Sequence, residues 1–341
     1  QEIHAQNWSW VKSSGGINYD GASSVATDAN GNIYVAGLFN SLSITFGSFT
    51  GANSGSYDMF LAKYDAAGNV IWLRTAGGTL FDVINYVAVD PSGNIYVTGL
   101  FRSATIVFGS TTLTNSGMQD AFLTKYDSNG NVLWARNATG GGDDDGRSLC
   151  FDNSGNVYMA GSFKSSTITF GSISLINSGI PQADMFLAKY DSLGNPSMAV
   201  KIGGSANDWG NSVSFDGTGA VYLGGVYQSS TIAVGASNYN NAGSNDLLLI
   251  KFDLNGNVLW SRNVGGPNID ALSAVLSDTS GNVYLTGDFY SPALTFASTT
   301  LINADNTGNM PDIFTAKYDS AGAHVFANAY GDIGFDHSSA I

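Results

Sequence analysis

The sequence predicts an all-β protein, a β-propeller of five complete blades with a period of about 62 residues. Three observations predict it. Nine residues recur five times: "GNIYVAGLF" at 31–39, "GNIYVTGLF" at 93–101, "GNVYMAGSF" at 155–163, "GAVYLGGVY" at 219–227 and "GNVYLTGDF" at 281–289. No helical periodicity runs between the copies, while Asp, Asn and Gly return at fixed offsets as turn formers. Within one copy, Ile95, Tyr96, Val97, Leu100 and Phe101 put apolar groups on both faces, so the strand must be covered on both sides.

The aspartates ahead of the Gly-Asn turn set the period. Asp28, Asp90, Asp152, Asp216 and Asp278 are spaced by 62, 62, 64 and 62 residues. In the second unit the first strand is "INYVAVD", closed by the turn "DPSGN", and the second is "NIYVTGLF". The third, "DAFLTKYD", is closed by "DSNGN", and "NVLWARN" is the fourth. Between the second and third, "ATIVFGSTTLTNSG" reads as an extra short hairpin. The turns work because Asp bonds the backbone two or three residues on, while Gly takes the positive φ that tight turns need. Gly37, Gly99, Gly161, Gly225 and Gly287 lie inside second strands, which costs stability unless a neighbour needs the room. A straight β-solenoid is the competing architecture, but its coils are usually shorter and lack paired hairpin turns.

The blades are expected at 22–76, 84–138, 146–202, 210–264 and 272–329, within a single domain spanning 1–341. Residues 7–14 match an outer fourth strand and residues 337–341 the start of an inner first strand of an incomplete further blade. The natural chain is therefore expected to continue and to close six or seven blades. A chain opening "QEIHAQNW" also reads as the mature end left by a removed signal peptide.

Apolar residues make up 43% of the chain and charged residues only 12%, about half the usual share. The formal net charge of −14 argues against nucleic acid and against charge-driven binding to an anionic membrane. No apolar run is long enough for membrane insertion. The single cysteine, Cys150 in "SLCFD", reads as a buried apolar residue.

The string "DPSGNIYVTGLF…FGS…DAFLTKYDSNGNVLW" and its four companions resemble the bacterial beta-propeller repeat (SBBP-type) family. That resemblance covers nearly the whole chain. It implies a propeller belonging to a large secreted or cell-surface protein, as in Bacteroidota, with an extracellular or adhesin-like location.

Most ionisable residues share the period. Four aspartate positions account for 21 of the 27 acidic residues: the Asp20, Asp28, Asp58 and Asp65 positions and their counterparts. Two basic positions account for 10 of 13: the third-strand Lys63 set, and a fourth-strand set of Lys12, Arg74, Arg136, Lys201 and Arg262 that needs a one-residue slip at Lys201. Residues that recur in every unit read as turn formers, caps and ion pairs, with Trp72, Trp134 and Trp260 packing between blades. The aspartates after the glycine-rich turns (Asp20, Asp82, Asp144, Asp208, Asp270, Asp336) are expected to be capped by backbone and paired with Lys or Arg rather than metal. Should a metal bind, Asp143, Asp144 and Asp145 in "GGGDDDG" are the candidate Ca2+ ligands, against a solvated acidic loop as the plainer reading.

The non-periodic charges are Glu2, Arg102, Asp143, Asp145, Arg147, Lys164, Asp288, Asp305 and Asp332, with His4, His324 and His337. They assemble no Ser–His–Asp set and no His-rich metal motif. The expected function is a non-enzymatic interaction or structural module without a cofactor. Its partners would be a protein or glycan at the cell surface, or copies of itself. The hairpins that vary most, "SGIPQAD" at 178–184 and "NADNTGNMPD" at 303–312, are candidate contact points. The alternatives are carbohydrate binding through Tyr57, Tyr239 or Tyr290, and a propeller enzyme.

Overall fold

A computed structural model describes residues 9–305 and 307–341. Thirty strands and no helix are assigned among them, so no helix is long and apolar enough to cross a membrane. The chain divides into two compact units: residues 1–115 with 122–136, and residues 116–121 with 137–341. Numbered by repeat, the first unit holds sheet 1 (strands within 20–76) and most of sheet 2 (82–140); the second holds sheets 3 (144–202), 4 (208–264) and 5 (270–330).

Each repeat folds as an antiparallel meander in the order first, second, third, fourth strand. In sheet 2 these are Asp82–Val89, Ile95–Phe101, Asp120–Tyr126 and Val132–Gly140. The expected extra hairpin is Thr105–Phe108 with Thr111–Thr114. The second and third strands of sheet 2 are buried at every position, because both of their faces are covered. First strands begin two residues earlier than the sequence reading placed them, at the periodic aspartate itself.

Every first strand carries a bulge, between Ala22 and Ser24, Ile84 and Tyr86, Gly146 and Ser148, Gly210 and Ser212, or Leu272 and Ala274. The strand glycine of the same sheet lies opposite it. A Cβ on Gly99 would collide with the Val83 carbonyl, 3.0 Å from its carbon, and would lie 3.1 Å from the Asn85 nitrogen. The neighbour that needs the room is the bulged backbone.

The cores lie between sheets. In the first unit Tyr34, Met59, Leu61 and Trp72 of sheet 1 bury against Ile84, Val97, Ile106 and Phe108 of sheet 2. The same positions pack sheet 3 on sheet 4 and sheet 4 on sheet 5.

Two expectations about the flanking segments need correction. Residues 7 and 8 lie outside the described residues, and 9–14 form no strand, because no third strand lies beside them. Trp10 nevertheless takes the fourth-strand tryptophan's place, donating from Nε1 to the Ala66 carbonyl at 3.1 Å. Residues 337–341 likewise pair with no strand. Asp336 still takes the periodic position, its N–H donating to the Pro311 carbonyl at 3.2 Å as Asp82 N–H does to Tyr57 at 2.9 Å.

Candidate functional site

The periodic charges are engaged in building the sheets and their junctions. At the strand-closing turns, Asp65 Oδ1 accepts the Asn69 N–H at 2.8 Å and Oδ2 accepts the Asn69 side-chain amide at 2.9 Å. Those bonds hold the Asp65 carboxyl below its usual range, and the Asn282 amide does the same for Asp278.

The third-strand lysine, with the tryptophan and arginine of the fourth strand, forms a clamp. Lys63 Nζ and Trp72 Nε1 both donate to the Ser128 carbonyl, at 2.9 and 3.3 Å. Arg74 donates to the Gly130 and Asn129 carbonyls at 2.8 and 2.9 Å. Sheet 1 thereby grips the third-to-fourth turn of sheet 2. Sheet 4 repeats this on sheet 5, through Lys251 and Trp260 to Ser320 and Arg262 to Gly322. In sheet 3 the register places Met198 and Val200 at the tryptophan and arginine positions. Lys201 is therefore no slipped counterpart of Arg74. Adjacent strand residues face opposite sides, and Lys201 pairs instead with Asp184 at 3.6 Å.

The aspartates that open the first strands are held by backbone and serine, not by the third-strand lysines. Asp82 accepts the N–H groups of Gly78, Arg102 and Ser103 at 2.8, 3.0 and 3.1 Å and the Ser103 hydroxyl at 2.6 Å. Asp208 and Asp270 repeat the serine bond through Ser229 and Ser291. The lysines pair with the next aspartate along, Lys189 with Asp152 at 3.4 Å and Lys251 with Asp216 at 3.6 Å.

Burial pushes the Asp144 carboxyl up to about 7 and the Asp270 carboxyl up to about 6, against their serine donors. Each binds its proton more tightly folded than unfolded. Its stabilising contribution is complete below about pH 4 and fades as the pH climbs through these raised values. The turn carboxylates such as Asp65 act oppositely, losing their contribution as pH falls below their usual range. Thermal melts are therefore expected to give the highest Tm at mildly acidic pH, with a decline toward pH 8 that is smaller in Asp144→Asn. A Tm that rises steadily to pH 8 would contradict this assignment.

Chemistry that differs from sheet to sheet gathers at the end of the sheets where the first and third strands begin. Three residues per sheet meet there: the one before the first strand, the one after the second, and the one before the third. Backbone bonds of 2.9 to 3.0 Å tie the first two together, from Asn40 to Tyr19, Arg102 to Phe81, Lys164 to Asp143, Gln228 to Asn207 and Tyr290 to Ile269. Parallel bridges join neighbouring sets, Tyr57 with Phe81 in the first unit and Asn245 with Ile269 in the second.

In the first unit this belt is aromatic. Tyr19 meets Tyr57 edge-on at 6.4 Å, Tyr57 meets Phe81 at 5.3 Å, and the Arg102 guanidinium lies 5.8 Å from the Phe81 ring. In the second unit Lys164 stands 3.9 Å from Asp143. Beyond it comes an amide ladder, Asn207 to Gln228 at 3.2 Å and Gln228 to Asn245 at 2.8 Å. Ile269, Tyr290 and Pro311 follow.

The predicted residues fall unevenly on this belt. Tyr57 and Tyr290 belong to it, both half-buried. Tyr239 does not. It stands in the extra hairpin of sheet 4, where sheets 2, 3 and 5 carry Leu113, Leu175 and Leu301, and its hydroxyl is 2.7 Å from Ser261 Oγ. The three acidic-loop side chains diverge. Asp143 faces Lys164, Asp144 is buried against Ser165 at 2.6 Å, and Asp145 pairs with Arg147 at 2.8 Å. Among the described residues no group of three or more His, Cys, Asp or Glu side chains is arranged to hold a metal ion.

Other non-periodic groups are scattered. Asp288 meets His337, Asp305 caps its own loop through the Thr307 and Met310 N–H groups, and His324 stacks on Phe296. Glu2 and His4 lie outside the described residues.

No family model matches the chain. It is 24% identical over 321 residues to the "Uncharacterized WD repeat-containing protein L264" of Acanthamoeba polyphaga mimivirus, covering 75% of this chain and 23% of that protein. It is 27% identical over 247 residues to the "Regulatory protein FlaEY" of Caulobacter vibrioides, covering 67% of this chain and 25% of that protein. The chain thus spans about a quarter of the length of these relatives. Among solved structures it is similar to a protein from Lactobacillus plantarum, with a TM-score of 0.44 and 13% identity over 94% of this chain and 86% of that one. The WD40 domain of Neurospora crassa Pan2 gives a TM-score of 0.42 and 9% identity over 92% of this chain and 66% of that one. The chain is an all-β protein of tandem four-stranded propeller blades.

Proposed function

We propose that the chain is a non-enzymatic interaction module, a rigid repeat scaffold displaying a chemically varied belt, within a larger secreted or cell-surface protein of adhesin type. The observation that carries this reading is the division of labour among side chains. Lysines, arginines and aspartates that recur are engaged in turns, clamps and caps. Variation is concentrated in the three belt residues of each sheet, which suits recognition more than a converging catalytic set. The low share of charge and the polar hairpins fit an exported protein, and the WD-repeat name of one relative fits a binding role.

The aromatic run of Tyr19, Tyr57 and Phe81 favours a glycan as the surface partner, since planar rings take the apolar faces of sugars. The test has two arms. Intact producing cells treated with protease are expected to lose the module from their surface, and full protection would end the extracellular reading. On a glycan array, saturable binding is expected to weaken at least tenfold in Tyr57→Ala, whereas no binding to any glycan leaves a protein partner as the occupant.

A further inference from the structure

The amide ladder of the second unit has a direction, and a backbone group sets it. The Ala183 N–H, which can only donate, lies 3.1 Å from Asn207 Oδ1. Asn207 therefore donates onward from Nδ2 to Gln228 Oε1 at 3.2 Å, and Gln228 from Nε2 to Asn245 Oδ1 at 2.8 Å. The last amide group, Asn245 Nδ2, is left as a donor with no acceptor among the described residues. Hydrogen bonds that run one way along a chain polarise one another, which strengthens that terminal N–H.

Asn268 presents the opposite chemistry. Its Nδ2 donates to the Tyr290 carbonyl at 3.0 Å, and a carbonyl only accepts, so Oδ1 is the atom left without a partner among the described residues. The two asparagines are neighbours, since the Ser244 and Asn245 N–H groups both approach the Asn268 carbonyl, at 3.2 and 3.5 Å. Next to both stands Ile269, bridged to Asn245 and 45% exposed. Half-buried Tyr290 adjoins it, its N–H donating to the Ile269 carbonyl at 2.9 Å, and its hydroxyl has no partner among the described residues. In sheets 3 and 4 the residue at the Tyr290 position reaches the one at the Ile269 position, Lys164 meeting Asp143 and Gln228 meeting Asn207. A donor, an acceptor, an exposed aliphatic side chain and an aromatic ring thus gather within the second unit, and none of the four carries a charge.

We propose that this corner binds the acetamido group of an N-acetylated sugar. Asn245 donates to the acetyl carbonyl and Asn268 accepts from the amide N–H, while Ile269 takes the methyl group and Tyr290 the apolar face of the sugar ring. The other ligand chemistries fit less well. A carboxylate calls for a cation here, and a plain hexose has no methyl group for Ile269. An extended peptide offers amides in a row, whereas the corner has partners for one. This assignment rests on the glycan reading given under the proposed function and names its ligand class.

Saturation-transfer NMR and titration of the full chain test it with three probes: N-acetylglucosamine, glucose and N-acetylglycine methylamide. N-acetylglucosamine is expected to bind with its acetyl methyl the most strongly saturated group, and glucose at least about tenfold more weakly. Asn245→Asp keeps the oxygen that Gln228 uses but replaces the donor with an acceptor, so it should weaken N-acetylglucosamine binding at least about tenfold. Tyr290→Ala, which leaves the ladder untouched, should do the same, so that a misfolded Asn245→Asp would not hide the answer. Equal binding of glucose, or binding unchanged in both variants, overturns the assignment. Equal binding of the blocked amino acid also overturns it, by making the partner a peptide. Tyr57-dependent capture of other glycans on the array, with no affinity for N-acetylglucosamine, overturns this assignment alone and leaves the glycan reading standing. Failure to bind any glycan ends both.

Discussion

Gly99→Ala should lower the stability of the first unit by about 3 kcal/mol, near the upper end of the usual cost of overpacking. The added carbon would enter the space held by the Val83 carbonyl and would lie 3.1 Å from the Asn85 nitrogen. Both atoms belong to backbone. A clash with a flexible side chain relaxes by a rotamer change, whereas here the bulge itself must move. The bulge lies beside the junction core, where Ile84 and Val87 pack against sheet 1. A Tm drop of about 11 °C is expected for a unit of this size. Gly141→Ala is the control, because nothing lies within 4 Å of its added carbon. Equal Tm values for the two variants would show that the bulge yields freely.

Asp82→Ala should cost about 4 kcal/mol, because it strands several buried donors at once. The carboxylate is fully buried and accepts four bonds, three from N–H groups and one from the Ser103 hydroxyl. Removing it leaves the Gly78 and Ser103 amides without that acceptor, while the Arg102 N–H keeps only the Phe81 carbonyl. Asp82→Asn keeps one carbonyl oxygen but turns an amide group toward a donor, so an intermediate loss is expected. Chemical denaturation of the three proteins at one pH checks the order. If alanine is no worse than asparagine, the four-donor cage is not what stabilises this corner.

Much of the fold was legible because the repeat states it five times. Turn residues, the extra hairpin and the two-sided burial of the second strands all follow from local chemistry. The strand glycines signalled a close neighbour, yet a bulge adds one unpaired residue and leaves no mark in composition. That offset also explains why first strands start earlier than their apolar residues suggest. Lys201 misled because a basic residue one place along still looks periodic in one dimension. In a strand that step reverses the face, and the register assigns the clamp position to Val200. Tyr239 looked like a free aromatic until set beside Leu113, Leu175 and Leu301, whose shared position in the extra hairpin it takes.

The belt was hidden in plain view. Its members stand next to the recurring aspartates, and they vary where those aspartates do not. Reading the neighbours of the constant residues would have found it, because a side chain beside a fixed strand-opening cap is fixed in place as well. The acidic loop obeys the same rule as Lys201, since three consecutive carboxylates near a strand start cannot all point one way.

The clamp grasps peptide oxygens, so the residues at its target are free to differ: serine at 128, leucine at 254 and serine at 320 are all accepted. A gene segment encoding one such sheet can be copied and reinserted beside any other without prior tailoring of its new neighbour. Lineages carrying this architecture should lengthen or shorten by whole segments far more readily than they exchange single residues in the grip itself.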